Sequence, residues 1–82
     1  MSKFYIAEAL RPARHTETRE VKRARYNAIR DALTKASLRP TVRFPYTDAG
    51  QEAAARYVEL QKVALEPHGY GDQPFVTEGF TL

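Results

Sequence analysis

The sequence predicts an α+β fold: a β-α-β-α-β two-layer sandwich, with two helices packed on one face of a small three-stranded sheet. Three observations carry this. Two stretches of about 17 residues place apolar side chains at helical spacing. Three short stretches alternate apolar and polar residues, the period of a half-buried strand. Proline or glycine stands at the breaks between them. Eighty-two residues make one domain, 1–82, and a thin core.

The first strand is expected over Phe4 to Leu10. Phe4, Ile6 and Glu8 fall on one side, and Tyr5, Ala7 and Ala9 on the other. Arg11-Pro12 ends it, because proline cannot donate to a sheet ladder. A basic loop through Arg14 and His15 leads to a helix capped by Thr16 or Thr18 and running to about Ala36. Glu17 and Glu20 near its start suit the positive end of the helix dipole. Val21, Ala24, Ala28, Ile29, Ala32 and Ala36 form its expected apolar side, with Leu33 at the margin. Arg25 intrudes on that side and must snorkel or pair.

Leu38-Arg39-Pro40 breaks this helix, since proline disfavours helical backbone in the residue before it. Thr41 to Tyr46 reads as the second strand, with Val42, Phe44 and Tyr46 on one side, and Pro45 places it at a sheet edge or at its own end. Thr47 or Asp48 caps a second helix from about Ala49 to Leu65. Its expected apolar side is Ala53, Ala54, Tyr57, Val58, Leu60, Ala64 and Leu65, with a Glu52–Arg56 pair facing water. Glu66-Pro67-His68-Gly69 stops it. Phe75 to Leu82 reads as the third strand, where Gly79 signals a bulge or a close approach. If the first two strands pair directly, the intervening helix predicts a parallel, right-handed crossover; if the last strand inserts between them, the sheet is mixed.

Composition limits the chemistry. Without cysteine there is no disulfide, no thiol nucleophile and no thiolate metal site. No apolar run approaches the length of a membrane span, and the N-terminus lacks the pattern of a signal peptide, so the expected location is the cytoplasm, with no membrane partner. The two histidines, His15 and His68, have no metal-ligand spacing, so neither a metal nor a cofactor is expected. A His68–Asp72 dyad across the glycine turn is conceivable, but such residues are far more often caps and loop positions. Gly69-Tyr70-Gly71 follows a helix and precedes a strand, the reverse of a phosphate loop. No catalytic residue is assigned, and the expected activity is binding.

Charge is divided along the chain. Residues 1–43 hold eleven Lys/Arg against four acids, a net +7, and residues 44–82 hold two against six, a net −4. Such asymmetry points to a polyanionic partner, or to packing of the halves against each other. On the first helix, Arg19, Arg23, Tyr26 and Arg30 fall within about 60° of one another at 3.6 residues per turn. Lys22 and Asn27 flank them, and Arg11 and Arg14 precede the same helix. Arginine's planar fork suits both carboxylate and phosphate. The expected partner-binding residues are therefore Arg11, Arg14, Arg19, Lys22, Arg23, Tyr26 and Arg30. The partner is a protein or nucleoprotein complex, with nucleic acid itself as the alternative. A homo-oligomer joining basic to acidic halves is a third arrangement. The plain alternative is a solvated face whose arginines pair with Glu20, Asp31 or the second half. Tyr70, Phe75 and Phe80 near the last strand close the core or leave an aromatic edge.

In size and layout the chain resembles small phage-encoded proteins that bind host machinery, anti-CRISPR inhibitors among them. The stretch from Phe44-Pro45-Tyr46-Thr47-Asp48 through Tyr57 and the closing segment Pro74-Phe75-Val76 to Leu82 carry the resemblance, over less than half the chain. It implies a stoichiometric binder of a large complex in the host cytoplasm and brings no residue roles with it. Many proteins of that group are acidic mimics of nucleic acid. This chain is basic, so the resemblance implies occupation of a protein surface.

Overall fold

In the computed structural model, which describes residues 2–12 and 16–82, the elements follow the expected order. They are β1 (Ser2–Glu8), α1 (Arg19–Lys35), β2 (Thr41–Pro45), α2 (Asp48–Leu65), a 3₁₀ turn (Glu66–His68) and β3 (Phe75–Thr81). The fold is α+β, a three-stranded sheet with two helices packed against it.

The sheet corrects the expected strand pairing. Its order is β2-β1-β3, and β1 is antiparallel to both neighbours. Neither the parallel crossover nor the mixed sheet forms. The reason lies in the path between β1 and β2. α1 brings the chain back to the sheet end that β1 left. Glu8 therefore lies opposite Thr41, and the Ala9 amide donates to the Pro40 carbonyl at 2.9 Å. A helix that returns the chain to its exit point reverses the next strand.

The register sorts the two faces. Tyr5, Ala7, Val42, Phe44 and Val76 face α2, where the Phe44 and Tyr57 rings meet with centroids 6.0 Å apart. Phe4, Ile6, Arg43, Thr77 and Gly79 share the open face. Gly79 marks a close approach and not a bulge: pairing with β1 is unbroken, and a Cβ there would lie 2.6 Å from the Phe4 ring.

The core is small and lies between the helices. Ala9, Ile29, Ala32, Leu33 and Leu65 are buried together, with Leu10, Leu38, Ala64 and Tyr70 packed against them. α2 buries Gly50, Ala54, Val58, Gln61 and Leu65, a line at helical spacing. Leu60, expected on that side, is off the line and 55% exposed. Gln61 takes its place inside and donates to the Arg39 carbonyl at 2.9 Å. Gly50 is required where α2 meets β2, because a Cβ would sit 1.8 Å from the Pro45 carbonyl oxygen.

α1 is turned from its expected orientation. Its buried residues are Arg25, Ile29, Ala32 and Leu33, while Val21 and Ala24 are exposed. Leu33, expected at the margin, lies at the centre. Arg25 does not merely intrude on the buried face; it is part of it.

Candidate functional site

Thr18 caps α1 by accepting from the Val21 amide at 3.2 Å, which starts the helix at Arg19. From that start, one exposed flank gathers the basic residues. Among the described residues, Arg19, Lys22, Arg23, Tyr26, Asn27 and Arg30 line one shallow concavity of about 370 Å³. Because α1 is turned, this flank lies about a quarter-turn from the buried line at 3.6 residues per turn, not opposite it. Lys22 and Tyr26 are consequently half-buried, and Arg19, Arg23, Asn27 and Arg30 are exposed.

Among the described residues, no ion pair engages the charges on this flank. Among the described residues the ion pairs are Arg25–Glu17, Arg56–Glu52 and Lys62–Glu59. None includes Arg19, Lys22, Arg23 or Arg30. The carboxylates of Glu20 and Asp31, which sequence reasoning offered as partners, make no ion pair with them. Among the described residues, no ion pair joins the basic first half to the acidic second half. Glu52–Arg56 forms as expected at 3.6 Å, but both side chains are exposed and the pair is worth little.

Tyr26 is held as part of the scaffold. Its hydroxyl donates to the Arg11 carbonyl at 2.7 Å, the Arg25 guanidinium lies 4.9 Å from its ring centroid, and the Lys22 ammonium 5.5 Å. A ring so engaged anchors the flank and offers little free surface for stacking a base.

Beneath the flank lies a network built around Arg25. Its Nε and Nη2 donate to the two Glu17 carboxylate oxygens, each at 2.9 Å. Nη1 donates to Gln73 Oε1 at 3.1 Å, and Nη2 to the Arg11 carbonyl at 3.3 Å. The hydrogen bond to Glu17 raises the Arg25 pKa above its ordinary value, against the lowering effect of burial, and the Glu17 charge adds to it. The pairing that sequence reasoning required of Arg25 is thus met by a fork on carboxylate. The sequence ties Glu17 only to the helix dipole and carries no signal at Gln73: 48 residues separate Gln73 from Arg25, and only the tertiary fold brings them together.

The other expected site residues fall elsewhere. Arg11 points its guanidinium away from the flank: Nε donates to the Gln73 carbonyl at 2.8 Å, and the group lies 4.6 Å from the Phe75 ring centroid. Only its carbonyl serves the α1 side. Arg14 and His15 lie outside the described residues. No hydrogen bond or ion pair joins His68 to Asp72. Gly69 serves the turn, at φ 82°. Among the described residues no cluster of three or more His, Asp or Glu could hold a metal ion, and no helix is long and apolar enough to cross a membrane. Of the late aromatics, Tyr70 packs on the core, whereas Phe80 is 60% exposed.

A second polar cluster was not foreseen. Tyr5 and Tyr46 stack with centroids 4.7 Å apart, the Tyr46 hydroxyl donates to Glu78 at 3.1 Å, and the Lys3 ammonium lies 5.5 Å from the Tyr46 centroid. These residues come from β1, β3 and the position that follows β2, so no local pattern could reveal them. No family model, curated protein or solved structure matches the chain.

Proposed function

We propose that the chain is a non-catalytic binding protein that docks through the α1 flank on an acidic surface of a protein or nucleoprotein complex. The observation that carries this reading is the gathering of Arg19, Lys22, Arg23 and Arg30 in one concavity, with none of them in an ion pair among the described residues. Four cations gathered on one flank create a field that steers anionic partners. Tyr26, tied down through Arg11, presents the flank on a rigid base and lowers the ordering cost of association. An inhibitor or adaptor acting on host machinery, of the anti-CRISPR kind that the layout resembles, is the sharpest form of the reading. Direct binding of nucleic acid is the second form. Arg and Asn side chains together in the concavity support it, while the engagement of Tyr26 restricts it to phosphate and groove contacts.

The test is charge reversal, Arg19→Glu with Arg23→Glu and Arg30→Glu, in an affinity capture from host lysate with and without nuclease. The expected result is capture by the wild type that survives nuclease and is lost in the variant. Equal capture by both proteins would sink the proposal. Capture that vanishes with nuclease supports the second form. That form further requires binding to plain duplex or single strands at about 50 mM salt that falls steeply as salt rises.

A further inference from the structure

The two outer strands of the sheet differ as edges. β2 is five residues long, carries Arg43 and ends in Pro45, features that discourage pairing with another chain. β3 is seven residues long and has no proline and no basic residue. It pairs with β1 in unbroken register, so no bulge twists it away. Among the described residues, no strand lies along its outer side. α2 packs chiefly over β1 and β2. Toward the helix layer, Val76 and Phe80 of β3 therefore remain 37% and 60% exposed.

We propose that β3 pairs with β3 of a second copy, antiparallel and two-fold about Glu78, so that the two sheets become one. In this register Val76 of each copy stands opposite Phe80 of the other, and the exposed apolar side chains cover each other. Directly opposed residues point to the same face, so both α2 helices lie on one side of the joined sheet. Glu78 meets its counterpart at the axis. Lys3 lines the same concavity as Glu78 and Phe80, so each copy carries a cation on the face where the two Glu78 residues meet. Centring the axis on Thr77 or Gly79 would instead set Glu78 against Val76 or Phe80, an apolar side chain against a carboxylate. The surface is separate from the α1 flank and does not depend on it.

Sedimentation equilibrium of the full chain reads the proposal directly. The wild type is expected to dimerise with concentration, and Phe80→Lys to be monomeric with an unchanged circular dichroism spectrum. The chain has no cysteine, which makes a cross-link specific. Opposed Cα atoms in an antiparallel pair lie about 4.5–5.5 Å apart, within reach of a disulfide. Glu78→Cys should therefore form a covalent dimer on mild oxidation, and Thr41→Cys on the β2 edge should not. The proposal is overturned by a wild type that stays monomeric to about 1 mM, which would leave the edge to an extended segment of another protein. It is equally overturned if Phe80→Lys dimerises as tightly as the wild type, or if Thr41→Cys cross-links as readily as Glu78→Cys.

Discussion

Arg25 joins three parts of the chain that are distant in sequence: the segment holding Arg11 and Glu17, α1, and the loop leading into β3. Its side chain and that of Glu17 are each 10% exposed, so removing one leaves the other charged and largely dry. Arg25→Ala is expected to cost about 3–5 kcal/mol, read by urea denaturation. Replacing Arg25 and Glu17 together by Met and Leu should cost clearly less, because neither charge then stays buried. The raised pKa of Arg25 means that its contribution is complete below the unfolded arginine value and is lost only as pH rises through the still higher folded one. Arg25 therefore adds no alkaline instability at working pH. Tyr46 behaves differently. Its hydrogen bond to Glu78, and then the Glu78 charge, lift its pKa above the ordinary tyrosine value. The folded state holds that proton more tightly, so the linked stability is present below the unfolded value and is lost as pH rises through the folded one. Ultraviolet titration of the wild type against Tyr46→Phe should place Tyr46 above a free tyrosine, and Glu78→Gln should bring it back.

Both helices end in the same way, and their endings build the core. After α1, the Leu38 amide donates to the Leu33 carbonyl at 2.8 Å and the Ser37 amide to the Thr34 carbonyl at 3.0 Å. After the 3₁₀ turn that extends α2, the Tyr70 amide donates to the Leu65 carbonyl at 3.1 Å and the Gly69 amide to the Glu66 carbonyl at 3.0 Å. Each is a Schellman ending, which satisfies carbonyls at the helix terminus and folds the next apolar residue inward. Leu38 and Tyr70 are those residues, and both pack on the core cluster. The left-handed position is glycine in one case and serine in the other, with Ser37 at φ 60°. Ser37→Gly should therefore stabilise the protein by about 0.5–1 kcal/mol, since relief of left-handed strain outweighs the added chain entropy. Chemical denaturation would show it as a higher midpoint at constant slope.

For the whole molecule, the basic flank and the β3 edge are two surfaces on one thin domain. The flank's arginines lie outside the core, and its charges form no ion pair among the described residues. Reversing Arg19, Arg23 and Arg30 to Glu is thus expected to change stability by no more than about 0.5 kcal/mol per site. Thermal unfolding followed by circular dichroism measures this. A loss comparable to that of Arg25→Ala would place these residues in the fold instead of on a free surface. The same reversal should leave dimerisation through β3 unchanged, which separates the two surfaces experimentally.

The sequence by itself determined the order and type of the elements, two candidates for each N-cap (Thr16 or Thr18, Thr47 or Asp48) and the basic stripe of α1. These are local quantities: 3.6 and 2.0 periodicities, Thr18 and Thr47 ahead of their helices, and prolines that end them. Arg25 announced a need for a partner, though not which one. Only the tertiary structure decided the antiparallel pairing of β1 with β2. It alone seated α1 on Arg25, Ile29, Ala32 and Leu33 instead of on Val21 and Ala24, and it alone turned Arg11 toward Gln73 and Phe75. In α1 the small alanines bury so little area that apolar count does not settle the seated face. Ile29 and Leu33, together with a fully bonded arginine, settle it, because packing rewards buried volume and satisfied polar groups over the number of small apolar residues.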